Sequence, residues 1–203
     1  MLKHKIPNIL TVARLILIPI LVTSFYMPWK ITNLVVATLF MAASLTDYFD
    51  GYLARAMKVQ SNFGRCLDPI ADKLLVSVAL IMLVHFGNGN LMLTIPAMII
   101  ICREILVSGL REFLAGLNVS VPVTRLSKWK TAIQMIAITM LLLAGNGAEY
   151  TYNEIMDFVE ATAFIRSTFN DMVLILGEVL LIVASFLTVV TGYIYLKIGL
   201  KNM

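Results

Sequence analysis

Charged residues are scarce in this chain. Only 14% of its 203 residues are Asp, Glu, Lys or Arg, whereas 60% are hydrophobic. Soluble domains average about 25% charged and about 45 to 50% apolar residues. The composition therefore excludes an ordinary soluble protein and predicts a single all-α integral membrane domain over residues 1–203, embedded in the lipid bilayer.

Cysteine is also scarce. The two cysteines, Cys66 and Cys102, do not form a CxxC pair, so a zinc site built from cysteines is not predicted. Basic residues near both are typical of the cytosolic side of a membrane, where disulfides are rare. A cleaved signal peptide is not predicted either, because the first apolar run is long, contains Arg14 and lacks a small-residue cleavage site.

Six apolar segments are predicted to be transmembrane helices. They cover about residues 7–27, 31–56, 69–87, 91–113, 129–146 and 172–196. Each is close to the roughly 20 residues that a helix needs to cross the hydrocarbon layer. Gly and Asn mark helix ends at GNGN (87–90) and GNG (145–147). An even number of spans places both termini on the same side.

The basic residues predict which side that is. With six spans, fourteen of the sixteen Lys and Arg residues fall on the side of the termini, and only Lys30 and Arg166 fall opposite. The positive-inside rule then makes the termini cytoplasmic. The acidic segment 147–171 is expected to be an external, solvated loop.

Four aspartates interrupt the apolar pattern between residues 47 and 72. Asp47 and Asp50 are three residues apart, which places them about 60° apart around a helix. Asp68 and Asp72 are four residues apart, about 40° around the next helix. Ionisable residues near the bilayer interior are costly and are usually functional. Two helix faces of this kind can bring four carboxylates to one point.

Oxygen ligands without His or Cys suit Mg²⁺, Mn²⁺ or Ca²⁺. Two divalent cations would balance four carboxylates, and such a pair can assist phosphoryl displacement. Gly51 and Ala54 lie on the face of Asp47 and leave room for a bulky substrate, while Arg55 can pair with a diphosphate. For any single aspartate a structural alternative stays open: Asp68, for example, can cap a helix that starts at Pro69.

These residues resemble the signature of the CDP-alcohol phosphatidyltransferases, six-helix membrane enzymes that are usually homodimers. The signature positions are Asp47-x2-Asp50-Gly51-x2-Ala54-Arg55-x8-Gly64-x3-Asp68-x3-Asp72. The resemblance implies that the four aspartates bind two divalent cations, Mg²⁺ or Mn²⁺, and that Asp72 is also the general base. It further implies that Gly51, Ala54 and Gly64 make room for the cytidine nucleotide and that Arg55 contacts its diphosphate.

Basic residues also flank the fourth and fifth spans, within CREILVSGLREFLAG (102–116) and TRLSKWKT (124–131). They are Arg103, Arg111, Arg125, Lys128 and Lys130. Positive-inside anchoring with extended side chains is one explanation. The other is a binding site for a phosphorylated acceptor, because a phosphomonoester needs several cationic donors. Glu104 and Glu112 are expected to pair with neighbouring basic residues rather than to bind metal.

These segments, together with the opening Pro7-Asn8-Ile9-Leu10-Thr11-x2-Arg14, resemble family members whose acceptor is sn-glycerol 3-phosphate. The resemblance implies transfer of phosphatidyl from CDP-diacylglycerol to that acceptor, giving phosphatidylglycerophosphate and CMP, at the cytoplasmic face of a bacterial inner membrane. Direct displacement without a covalent phosphatidyl-enzyme is expected. Asn8 and Thr11 are expected to border the CDP-lipid pocket, and Arg14 the acceptor phosphate.

Three alternatives stay open. The same chemistry could use inositol phosphate or serine as the acceptor. An intramembrane prenyltransferase also uses Asp-rich metal motifs, but it would not need the Gly51, Ala54 and Arg55 arrangement. A cation transporter would place its acids nearer the bilayer midplane. No nucleic-acid partner is predicted.

Overall fold

In the computed structural model of the protein, the described residues are 5–27, 32–57, 62–117, 125–145 and 160–201. Side chains are described for 12–27, 32–46, 67, 69–117, 126–145 and 169–200. Within these ranges the chain forms six helices and no strand. The helices are α1 (Lys5–Phe25), α2 (Thr32–Met57), α3 (Asn62–Phe86), α4 (Leu91–Gly116), α5 (Arg125–Ala144) and α6 (Glu160–Lys201). The all-α prediction is confirmed.

Four of these helices are long and apolar enough to cross a bilayer. The candidate spans are Pro69–Phe86, Leu91–Gly116, Leu126–Ala144 and Phe169–Leu200. The described apolar parts of α1 and α2 are shorter, at Val12–Phe25 and Thr32–Thr46. The protein is therefore a multi-pass membrane protein. That α1 and α2 each cross the membrane stays a prediction. Their positions as the first two helices agree with the predicted segments.

Helix α3 extends on the N-terminal side of the predicted span 69–87, whose start agrees with the candidate span Pro69–Phe86. It starts at Asn62, so Pro69 lies inside the helix and Asp68 is not its N-cap. Proline lacks an N–H and removes one helical hydrogen bond, so a helix that begins at Pro69 was the structural alternative for Asp68. Helices in membranes tolerate such a proline when neighbouring groups satisfy the freed carbonyl. Asp68 and Asp72 consequently lie one turn apart on a helix that is already formed.

Helix α6 is also longer than predicted. It begins at Glu160, so the prediction of a loop was wrong for residues 160–171, while residues 146–159 lie outside the described part. No glycine or proline occurs between 160 and 176, and a hydropathy window misses such a polar helical extension. At 1.5 Å per residue, the 42 residues span about 63 Å. This exceeds the roughly 30 Å hydrocarbon layer, so the helix extends beyond the bilayer.

The two predicted glycine and asparagine turns are confirmed as helix boundaries. Asn88 and Gly89 have φ values of 50° and 71° between α3 and α4. Asn90 caps α4, its Oδ1 accepting a 3.0 Å hydrogen bond from the Met92 backbone N–H. Gly145 ends α5 with φ 67°, and a Cβ there would collide with the Asn33 side chain.

Close packing of α6 on its neighbours depends on small residues. A Cβ at Gly177 would lie 2.9 Å from Leu141 Cγ on α5, and one at Gly199 would lie 2.9 Å from Leu110 Cδ1 on α4. Small residues allow this approach between membrane helices, where association depends on packing rather than on exclusion of water. The short turn at 87–90 makes α3 and α4 antiparallel, so the start of α3 and the end of α4 lie at the same end of the bundle.

Candidate active site

A cavity of about 1080 Å³ lies between α2, α3, α4, α5 and α6. Ligand sites in proteins typically have about 300 to 1000 Å³. The cavity has a charged part and an apolar part. The charged part is lined by Asp72, Lys73, Arg103, Glu104, Arg111, Lys128 and Lys130. The apolar part is lined by Met41, Leu45, Val107, Met135, Ile136 and Met140. The described lining therefore carries five cationic side chains and two carboxylates.

Glu104 holds two of the cations. Arg103 Nη1 donates a 3.3 Å hydrogen bond to Glu104 Oε1, and Lys130 Nζ donates to the same oxygen. Lys130 is buried, so its charge depends on this carboxylate because an unpaired buried charge is costly. Arg103 Nη2 donates a further bond of 2.8 Å to Thr191 Oγ1 on α6. The expectation that Glu104 pairs with basic residues is confirmed.

Tyr195 on α6 organises the other arginine. Arg111 Nη2 donates a 2.6 Å hydrogen bond to Tyr195 Oη, and Ser127 Oγ lies 3.3 Å from the same oxygen. The guanidinium carbons of Arg111 and Arg103 lie 4.7 and 5.7 Å from the centre of the tyrosine ring. Both distances are within cation–π range. One buried tyrosine thus fixes two cations on α4.

Two further contacts set the positions of α3, α4 and α6 around the cavity. Lys73 Nζ donates to Ser108 Oγ, which ties the residue after Asp72 to α4. Gly192 makes room for the arginine: a Cβ there would lie 3.1 Å from Arg103 Cγ and 3.3 Å from Nε. From the sequence, Lys73 was counted only as a cytoplasmic charge. The role of Gly192 beside Arg103 was not predicted.

Tyr195 was also missed. A tyrosine near the end of an apolar helix is typical of the aromatic belt at a membrane interface, so its type and position gave no separate signal. Its neighbour Tyr193 is 67% exposed and fits that description, whereas Tyr195 is only 2% exposed. A helical projection of α6 that placed Tyr195 on the same face as Thr191 could have distinguished the two.

The structure brings together most of the predicted acceptor residues. Arg103, Arg111, Lys128 and Lys130 line the cavity with Asp72. Arg14 is buried in α1, and it is not among the residues that line this cavity. Arg125 is the first residue of α5, and its side chain lies outside the described part.

The remaining predicted residues lie on helical backbone, but their side chains are outside the described part. They are Asn8 and Thr11 on α1, Asp47, Asp50, Gly51, Ala54 and Arg55 on α2, and Gly64 and Asp68 on α3. Among the described side chains, no group of three or more His, Cys, Asp or Glu could hold a metal. Three of the four predicted metal ligands are outside that search, so the metal site stays a prediction.

The fold and the cavity define a class: a multi-pass helical membrane protein whose site combines cationic and apolar walls. The family model for CDP-alcohol phosphatidyltransferase matches residues 4–190. The chain therefore belongs to the CDP-alcohol phosphatidyltransferase family and is a transferase, which confirms the resemblance of the aspartate pattern.

Relatives are similar to this chain over nearly its whole length. A protein of Rickettsia felis is 43% identical over 196 residues, covering 97% of this chain and 96% of the relative. A protein of Cereibacter sphaeroides is 40% identical over 220 residues, covering 100% and 98%. Both are named CDP-diacylglycerol–glycerol-3-phosphate 3-phosphatidyltransferase.

Proposed function

We propose that the protein transfers a phosphatidyl group from CDP-diacylglycerol to sn-glycerol 3-phosphate and releases CMP. The names of its relatives point to this reaction. The observation that carries the proposal is the cavity itself, in which Asp72 shares one space with Arg103, Arg111, Lys128 and Lys130. The apolar wall of the same cavity suits a lipid substrate.

The charge of the cavity favours a phosphorylated acceptor. Among the described side chains, five cations and two carboxylates line it, so this part of the lining carries an excess of positive charge. A phosphomonoester can offset that excess and accept several charge-assisted hydrogen bonds. Serine carries no net charge and would not offset that excess. This argument supports glycerol 3-phosphate over serine.

The apolar wall favours a lipid donor that enters from the bilayer. Met41 and Leu45 on α2 and Ile136 on α5 are 45%, 51% and 54% exposed. In a membrane, exposed apolar side chains face lipid, so this wall is continuous with the acyl-chain region. The diacylglycerol tails of the donor can remain there while its diphosphate reaches the charged part. The flexible side chains of Met41, Met135 and Met140 can adapt to acyl chains of different length.

Asp72 is the general base in this proposal. It accepts the proton of the acceptor's primary hydroxyl as that oxygen attacks the phosphorus bearing diacylglycerol. The new P–O bond forms as the bond from this phosphorus to the oxygen of CMP breaks, and CMP departs with that electron pair. Arg111 and Lys130 hold the acceptor phosphate, which fixes the direction of attack.

A divalent cation site is part of the proposal. Asp47, Asp50, Asp68 and Asp72 provide only carboxylate oxygens, at one-turn spacing on two consecutive helices, and this donor set fits Mg²⁺ or Mn²⁺. When bound, two such ions would neutralise charge on the diphosphate and on departing CMP. Arg55 and the small residues Gly51, Ala54 and Gly64 would border the nucleotide.

We also propose that both termini and the cavity face the cytoplasm of a bacterial inner membrane. Asp72 near the start of the α3 span and Arg111 near the end of α4 lie at the same end of the bundle, where most basic residues are expected. The homodimer implied by the family resemblance belongs to the same proposal.

An acceptor panel tests the proposed function. Purified protein in detergent micelles containing CDP-diacylglycerol and Mg²⁺ is given sn-glycerol 3-phosphate, serine or inositol phosphate, and CMP release is measured. We expect strong turnover with sn-glycerol 3-phosphate alone. Strong turnover with serine would identify a different acceptor. An absence of CMP release with every acceptor would favour the prenyltransferase or transporter alternatives.

A further inference from the structure

We propose that Glu104 determines acceptor specificity by accepting a hydrogen bond from a second hydroxyl of the acceptor, next to the hydroxyl that attacks. The ligand selected in this way is a phosphorylated vicinal diol. This inference rests on the proposed function, in which sn-glycerol 3-phosphate attacks through its C1 hydroxyl. Glu104 would then bind the hydroxyl at C2.

The hydrogen bonds of Glu104 leave one oxygen available. Lys130 Nζ and Arg103 Nη1 both donate to Oε1, and no donor among the described residues reaches Oε2. The side chain is 20% exposed and lines the cavity. An ionised carboxylate can accept about four hydrogen bonds over its two oxygens. Oε2 therefore keeps its capacity to accept hydrogen bonds, on a held side chain that lines the proposed substrate site.

A carboxylate is unexpected in a site for an anion. A glutamate repels a phosphate, so apart from its pairing with Lys130 and Arg103 it would weaken a pocket that bound only phosphate. An ionised carboxylate also donates no hydrogen bond, so the ligand must supply the donor. A hydroxyl group is the donor that a phosphorylated polyol offers. Glu104 thus fits a ligand that combines a phosphate with a hydroxyl.

In this proposal Asp72 and Glu104 each contact a different hydroxyl of the acceptor. Asp72 and Glu104 line the same cavity as Lys73 and Lys130. Asp72 takes the proton of the attacking hydroxyl in the proposed mechanism. The second hydroxyl, one carbon away, is left for Glu104. Because Lys130 and Arg103 fix Oε1, Oε2 is preorganised for this contact.

Two acceptors that differ only in this hydroxyl test the proposal. The first is sn-glycerol 3-phosphate. The second is 3-hydroxypropyl phosphate, which keeps the phosphate and the terminal hydroxyl but lacks the hydroxyl at C2. Loss of a hydrogen bond to a charged group predicts that kcat/KM of the wild type is about 10- to 100-fold higher with sn-glycerol 3-phosphate than with 3-hydroxypropyl phosphate.

Substitution of Glu104 should reduce that ratio. In Glu104→Ala we expect the two acceptors to be used within about threefold of each other, because no acceptor group remains for the hydroxyl. Glu104→Gln should give an intermediate ratio, since a neutral amide oxygen accepts a weaker bond. Glu112→Gln is the matched control: it makes the same change on an exposed residue of α4 that does not line the cavity. It should keep the wild-type ratio.

The outcomes separate this inference from the proposed function. If Glu104 only holds Lys130 and Arg103, its substitution should lower kcat/KM equally for both acceptors. The ratio of the two kcat/KM values would then stay unchanged, which would overturn the proposal. If Glu104→Ala does not fold, a wild-type ratio in Glu104→Gln overturns it instead. Equal use of both acceptors by the wild type would also reject the role of Glu104. Lack of wild-type turnover with sn-glycerol 3-phosphate would reject the proposed function itself.

Discussion

Replacement of Tyr195 tests the proposed binding of the acceptor phosphate in the cavity. Tyr195→Phe removes the hydroxyl that receives the 2.6 Å bond from Arg111 and keeps the ring beneath both guanidinium groups. Tyr195→Leu removes the ring as well. The pair of variants therefore separates the hydrogen bond from the cation–π contacts. Because Tyr195 acts through Arg111 and Arg103, we treat it as a positioning residue.

The size of each effect follows from the contacts. A hydrogen bond to a charged group contributes about 1.5 to 3 kcal/mol, but Arg111 is exposed and water can replace the lost partner, so about 1 to 1.5 kcal/mol is expected. Two cation–π contacts add about 0.5 to 1 kcal/mol each. The KM for sn-glycerol 3-phosphate should rise about 5- to 12-fold in Tyr195→Phe and about 30- to 300-fold in Tyr195→Leu.

Steady-state kinetics with each substrate varied in turn gives these values. The KM for CDP-diacylglycerol should change by less than about twofold, since the proposed role of Arg111 is to bind the acceptor phosphate. Tyr193→Phe is the matched control, because Tyr193 is exposed on the same helix. Equal increases in both KM values, or an unchanged acceptor KM in Tyr195→Leu with the protein still folded, would refute the positioning role.

Three other substitutions probe the cavity and the packing around it. Gly192→Ala places a Cβ 3.1 Å from Arg103 Cγ and should raise the acceptor KM several-fold, which kinetics can measure. Gly177→Ala forces α5 and α6 apart and should lower the free energy of unfolding by about 1 to 3 kcal/mol, which a lower Tm in detergent would show. Gly109→Ala is the control, because a Cβ there faces open space and should leave Tm near the wild type. Asp72→Asn should lower kcat by about 100- to 10,000-fold without unfolding the protein, and unchanged turnover would exclude Asp72 as the base.

Local patterns were sufficient to predict six helices and the helical backbone on which the aspartates lie. GNGN at 87–90 and the glycine at 145 end helices because their backbone conformations are unfavourable for other residues. Asp68 and Asp72 lie one turn apart on α3, as their spacing predicted. The basic residues of α4 and α5 meet in one cavity, although positive-inside anchoring alone would also account for their side of the membrane.

Contacts between distant helices could not be predicted in the same way. Tyr195 is 84 residues from Arg111, and nothing in either local sequence indicates that they meet. The link from Lys73 to Ser108 depends on how α3 and α4 pack. The helical extension over residues 160–171 was missed for another reason: it depends on tertiary context, which hydropathy windows do not capture.

The most direct test of the central claim follows one oxygen atom through the reaction. The protein is incubated with CDP-diacylglycerol, Mg²⁺ and sn-glycerol 3-phosphate that carries ¹⁸O in its C1 hydroxyl, and the products are analysed by mass spectrometry. Direct attack by that hydroxyl predicts phosphatidylglycerophosphate that retains the label, with an equal amount of unlabelled CMP. Label in CMP, or release of CMP without the labelled lipid, would contradict the account.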